Sequence, residues 1–182
     1  MNRSLGMIEL NSISRGIVAS DAMVKASNVE ITTAVSICPG KYIAIISGDV
    51  AAVDNSVKVG IRTAGEFLVD SFVLPKVHAD VFPAITAACP LNQTGALGIL
   101  EGFSAAAIIF AADVALKAAR VSAVELRIGS GLGGKAYFML CGDVAAVQKA
   151  VDAGKQNVME KGLLVNAEVI PSPAKALWNA IL

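Results

Sequence analysis

Histidine is almost missing from this chain: there is one, His78, in 182 residues. A histidine metal cluster is therefore excluded, and a Ser-His-Asp site would have a single possible base with no nucleophile and orienting acid grouped beside it. Large rings are scarce too. Only 5% of residues are aromatic against 55% hydrophobic, so the apolar content is mostly Ala, Val, Ile and Leu, which suits tight packing of small side chains. No charge excess exists, with 15 basic and 15 acidic residues, so no net field draws a nucleic acid or an anionic membrane surface. Long apolar runs are absent. The most apolar stretch, 105–112, is closed by Glu101 and Asp113 and is too short to span a bilayer. Residues 1–11 lack the charged start, apolar core and small-residue cleavage site of a secretory signal, so the expected compartment is the cytoplasm. A mean hydropathy of +0.65 without a membrane segment implies burial against other subunits. The cysteines, Cys38, Cys89 and Cys141, are odd in number and far apart, with none of the close pairs that build zinc sites or redox dithiols. A disulfide framework is not expected in a reducing cytoplasm.

What the chain does have is an internal repeat. Leu5, Gly6, Met7, Ile8, Glu9 returns as Leu97, Gly98, Ile99, Leu100, Glu101, an offset of 92 that also carries Asp21 to Asp113 and Lys25 to Lys117. The run Gly-Asp-Val-Ala-Ala-Val at 48–53 is repeated identically at 142–147, an offset of 94, so two residues have been inserted in between. A third block aligns Leu68 and Pro75 with Leu164 and Pro171, at an offset of 96. Three blocks in one order mean two copies of one domain. The polar stretch 90–95 reads as the joint, which places the copies at 1–92 and 93–182.

Each copy predicts the same elements. A strand at 5–10 precedes a helix at 15–27, matched in the second copy by a helix at 105–120 that is apolar on most faces. Val29, Ile31, Thr33, Val35 and Ile37 alternate with small or polar residues as in a half-buried strand, and Val124, Leu126 and Ile128 repeat the pattern. Strands follow at 42–47 and 137–141. Asp49 and Asp143 then stand at N-cap positions ahead of amphipathic helices. A last strand runs into Pro75 or Pro171 and a short terminal helix. The order β-α-β-β-α-β-α predicts an α+β domain, an antiparallel sheet with its helices on one face.

These elements and several strings resemble the bacterial microcompartment shell domain. Gly6-Met-Ile-Glu9, Asp21 to Lys25 followed by Ala26, Arg127-Ile-Gly-Ser-Gly131 and Gly-Asp-Val-Ala-Ala-Val are similar to that family's signature positions, twice over the chain. The uninterrupted order in both copies resembles the tandem type that is not circularly permuted. Cys38-Pro-Gly-Lys41 with Leu132-Gly-Gly-Lys135 is similar to the propanediol-utilisation T-type shell proteins. The resemblance implies a structural protein rather than an enzyme: a homotrimer with six domains in a ring, a pseudohexamer tiling the microcompartment shell beside other shell proteins. It also implies that Ser36, Ile37, Cys38, Pro39, Gly40, Gly129, Ser130, Gly131 and Leu132 line a central pore, with Arg127 beside it. Lys25 and Lys117 would mark the tile edges.

The glycine-rich loop invites a second reading. Gly129 to Lys135 nearly satisfies the phosphate-loop pattern, but Ala136 lacks the magnesium-binding hydroxyl and a strand follows instead of a helix. Read without the resemblance, it is a glycine-rich strand connection. A lone cysteine such as Cys38 is ordinarily a small apolar residue. Three chains around one axis change that reading, because three Cys38 thiols then converge. A 4Fe-4S cubane has a threefold axis through one iron, leaving three equivalent irons that each need a thiolate. On this reading the pore holds a 4Fe-4S cluster and passes electrons across the shell, with an encapsulated redox enzyme as a possible partner. The alternatives are an open pore that passes metabolites with Cys38 as lining, and a small nucleotide-binding regulator. Cys141, in place of Ser47, reads as a core residue, and His78 as a surface one. Glu9 and Glu101 read as structural.

Overall fold

A computed structural model describes residues 3–89, 95–129 and 131–181. The first copy runs β1 (Ser4–Leu10), α1 (Ile13–Ala26), β2 (Glu30–Ile37), β3 (Lys41–Gly48), α2 (Val50–Ala64), β4 (Leu68–Leu74) and α3 (Val81–Ile85). The second repeats it as β5 (Ala96–Gly102), α4 (Ala105–Ala118), β6 (Ser122–Ile128), β7 (Ala136–Gly142), α5 (Val144–Glu160), β8 (Leu164–Ile170) and α6 (Lys175–Ile181). Each copy forms a four-stranded antiparallel sheet, ordered β2-β3-β1-β4 and β6-β7-β5-β8. This is the expected tandem α+β fold. Most of the expected joint, positions 90–94, lies outside the described residues.

Local chemistry explains the helix starts. Ser12 and Ser104 have extended backbones, and their hydroxyls accept from Arg15 N–H and Ala107 N–H, one of the donors a helix N-terminus leaves unpaired. Asp49 and Asp143 stand at the N-caps of α2 and α5 as expected, without a side-chain capping bond.

The strands show two faces of different fate. Ile8, Leu10, Ala44 and Ile46 meet Ala19, Met23, Val53 and Val57 of α1 and α2 in a core within the first copy. On the reverse face, Leu5, Met7, Ile43 and Ile45 share one cluster with Val81 and Ala84 of α3 and with the α4 residues Ala105, Ala107 and Ile109. The two copies are thus joined by a common core. Helix α4 lies between its own sheet and the reverse face of the first, and for this reason Ala105, Ala107 and Ile109 are buried where their first-copy equivalents Ile13, Arg15 and Ile17 are exposed.

One expectation is corrected here. The helices do not all share one face: α3 and α6 occupy the reverse side, where Trp178 of α6 covers Leu97, Met139 and Cys141. The strand period exposes the cause. Leu97 and Ile99 alternate with Gly98 and Leu100, so both faces of β5 are apolar and each takes a cover.

Candidate functional site

The two repeat-equivalent loops, between β2 and β3 and between β6 and β7, come together. Cys38 N–H donates to the Gly129 carbonyl at 2.9 Å. Gly129 has φ +68°, and a Cβ there would lie 2.8 Å from Ile37 Cβ, so only glycine fits the contact. Gly134, at φ +88°, lies against Pro39, its Cβ position 3.5 Å from Pro39 Cδ, an ordinary contact. Ile37 and Gly129 are therefore buried behind the loops, while Ser36, Pro39, Gly40 and Gly131 are exposed and Cys38 and Leu132 half-buried. Ser130 lies outside the described residues.

Both loops are pinned at their bases. Lys41 Nζ donates to Glu9 at 2.7 Å, and Lys135 makes the same contact with Glu101 one copy later. The Gly129 and Lys135 amides are used inside the loop, Gly129 N–H to Lys135 O and Lys135 N–H to Leu132 O, both at 3.1 Å. The lysine and these two amides are thus committed to holding the loop, and β7 follows directly. Glu9 and Glu101 are structural partners, as expected. Arg127 turns away from the loop tip. It pairs with Glu125 at 2.7 Å and lines a cleft between the copies with Thr33, Val35 and Ile85. Tyr137 donates to the same carboxylate at 2.7 Å; burial, then this bond, push its hydroxyl up to about 12.

The cysteines separate by environment. Cys141 is fully buried under Trp178, and burial raises its thiol pKa; Cys89 is half-buried and raised first by burial, then by Asp80. Cys38 sits in the loop among Ser36, Ile37, Pro39 and Gly40, none of them charged. Among the described residues, no three His, Cys, Asp or Glu side chains gather within the chain to hold a metal. Any cluster at Cys38 must draw its other thiolates from other chains, and a half-exposed soft donor on an anchored loop suits that chemistry.

Lys25 and Lys117 are not in equal surroundings. Lys25 pairs with Asp21 on an open surface, whereas Lys117 pairs at 2.6 Å with Asp113, which is 3% exposed. The other oxygen of Asp113, Oδ1, accepts His78 N–H at 2.8 Å, tying the second copy to the segment before α3. His78 is thus part of the join between copies rather than a simple surface residue. The repeat of Asp21 in Asp113 was the visible signal for this contact, but only the packing reveals its partner.

A family model described as the BMC domain matches the chain twice, at residues 4–77 and 96–173. The chain is 43% identical over 182 residues to the bacterial microcompartment shell protein PduT of Citrobacter freundii, covering all of this chain and 99% of that one. A crystal structure of a microcompartment protein from Desulfitobacterium hafniense DCB superposes with a TM-score of 0.95 at 50% identity, covering 98% of this chain and 99% of that one. The shell protein EutM of Salmonella typhimurium is 44% identical over 79 residues, 43% of this chain and 79% of EutM.

The cysteine environments set an order of reactivity. With iodoacetamide at pH 8 on metal-free native protein, Cys38 should alkylate first, because burial keeps Cys89 and Cys141 more protonated and Cys141 unreachable. Peptide mass spectrometry over time checks this, and Cys141 reacting as fast as Cys38 would contradict it.

Proposed function

The chain belongs to the BMC-domain family, and on that premise we propose that three copies close head to tail into a pseudohexameric ring whose axis carries a 4Fe-4S cluster held by three Cys38 thiolates. At the coarser level it is a bacterial microcompartment shell protein of the PduT type. The proposed ring is a tile of that shell, structural rather than enzymatic.

One observation carries the ring. The junction inside the chain uses the reverse face of the first sheet and helix α4, which leaves the matching halves open at the two ends. On α1, Ile13 and Ile17 are 43% and 55% exposed, whereas their α4 equivalents Ala105 and Ile109 are 5% and 0% exposed; Val18, 52% exposed, corresponds to Phe110, which is half-buried against Phe72. At the other end stand Ile99, Tyr137 and Ile170 of the second sheet, only partly buried. A surface that is complementary to another surface of the same molecule makes a head-to-tail contact, which either closes a ring or grows a filament. Two copies per chain in a six-position ring require three chains.

Magnitudes decide how much surface must take part. Covering three half-exposed aliphatic side chains contributes about 2–4 kcal/mol at roughly 1.5–3 kcal/mol per full burial. Association costs about 4–15 kcal/mol, so α1 alone is not enough. Ile31 of β2, 46% exposed, together with the second sheet's reverse face, supplies the remainder.

Repeating the junction also gathers the loops. Inside the chain it joins the Cys38 loop to the Gly129 loop, so the same junction between chains brings all six loops to one axis, with Ser36, Pro39, Gly40, Gly131 and Leu132 around it. Three thiolates match the three equivalent irons of a cubane. When bound, such a cluster supplies one-electron transfer, and an encapsulated redox enzyme is the partner that would use it. Cys38 holds the cluster, while the Lys41–Glu9 and Lys135–Glu101 pairs keep the loops in place. Lys25 and Lys117, with side chains 72% and 44% exposed, are proposed to meet neighbouring tiles, of this or another shell protein.

Changing both Lys25 and Lys117 to Ala should prevent sheets or tubes while leaving single rings, and electron micrographs with unaltered sheets would remove that role. For the cluster, Cys38→Ser protein reconstituted anaerobically should lose iron, sulfide and the broad visible absorbance near ~400 nm typical of such clusters while the oligomer persists. Stoichiometric iron and sulfide retained in Cys38→Ser would falsify the cluster assignment, whereas a wild-type ring that binds no iron at all would favour an open pore passing metabolites.

A further inference from the structure

We propose that the junction between chains is closed by Asp21, whose carboxylate accepts the backbone N–H of Ala174 in the next copy. This rests on the ring reading above. Its model is the contact already present inside the chain. Asp113 uses both oxygens there: Oδ2 takes Lys117 at 2.6 Å and Oδ1 takes His78 N–H at 2.8 Å.

The repeat maps every member of this contact. Asp113 and Lys117 correspond to Asp21 and Lys25 at the offset of 92. His78 corresponds to Ala174 at the offset of 96, and the backbone confirms the match, since Val81 N–H donates to His78 O and Leu177 N–H to Ala174 O in the same turn. Asp21 holds Lys25 on Oδ2 at 2.5 Å, as Asp113 holds Lys117. Its Oδ1 has no hydrogen bond among the described residues. Ala174 is exposed, and its N–H has no acceptor among the described residues. A carboxylate oxygen and an amide N–H are thus left over, one at each end of the chain, in the two places that are bonded to each other within it.

The surrounding surface identifies the occupant as a second copy. Within the chain Phe110 packs on Phe72, ring centroids 4.8 Å apart. The corresponding positions are Val18 and Glu168. Arg15, exposed and one turn before Val18, replaces Ala107, which is 1% exposed. The internal seam carries an aromatic pair, while the external one offers an arginine on α1 and a glutamate on β8. Opposite charges on the two halves favour pairing of unlike ends of the same chain.

The test is the concentration at which the ring dissociates, followed by sedimentation, with circular dichroism reporting the fold. Asp21→Ala should raise that concentration at least about tenfold at unchanged helix content, as expected for losing a charge-assisted hydrogen bond at an interface. Ala174→Pro, which deletes the donor at an exposed position, should do the same. Lys25→Ala should stay within about threefold of wild type, because an exposed i,i+4 ion pair contributes little. If Asp21→Ala and Ala174→Pro both remain within about twofold of a wild-type ring, this contact is wrong while the ring stands. A wild-type chain that is monomeric throughout would overturn the ring, and this inference with it.

Discussion

The structure depends on one packing event, the burial of helix α4 between two sheets. Its own sheet takes one side and the reverse face of the first sheet takes the other. Fully burying an isoleucine contributes about 1.5–3 kcal/mol, and Ile109 is at 0% exposure where its first-copy equivalent Ile17 is 55% exposed, so this helix contributes to the cohesion between copies alongside α3 packed on β6. The same event sets what is left open. Because the contact is head to tail, a chain of two copies contains one complete junction and two unmatched halves. The exposed Ile13, Ile17 and Val18 lie on the half that the proposed ring would cover.

Charges serve the packing. Glu9 is 5% exposed and Asp113 3% exposed, and a buried carboxylate without a partner is costly, so each has a lysine. Lys41 and Lys135 hold the ends of the strands from which the two loops spring. This leaves the loop tips short, uncharged and in contact with each other, a geometry suited to a constriction and unsuited to a nucleotide. Asp113 adds direction: accepting His78 N–H, it fixes how α4 sits against the segment entering α3.

Much of this was legible in the sequence. The duplicated Gly-Asp-Val-Ala-Ala-Val run and the return of Leu5–Glu9 in 97–101 reveal the tandem organisation, and the alternation in β2 reveals a sheet, because repeats and periodicity are local properties of a chain. The two-residue difference in offset lies in the loop connecting the second and third strands of each copy. What was not legible depends on what packs against what. Helices α3 and α6 on the reverse face, Ile37 and Gly129 turned inward, Arg127 drawn to Glu125 and His78 joined to Asp113 are all tertiary outcomes that neither propensity nor spacing encodes.

Ring formation requires the open halves of neighbouring chains to find each other. Native mass spectrometry of wild-type protein kept anaerobic from lysis measures this directly, since it reads the number of chains and what they retain in one spectrum. The predicted result is a dominant species of three chains whose excess mass equals one four-iron, four-sulfide cluster, with the excess lost on acidification and the chain count falling only on unfolding. A dominant single chain, or an assembly whose chain count is not a multiple of three, would contradict it.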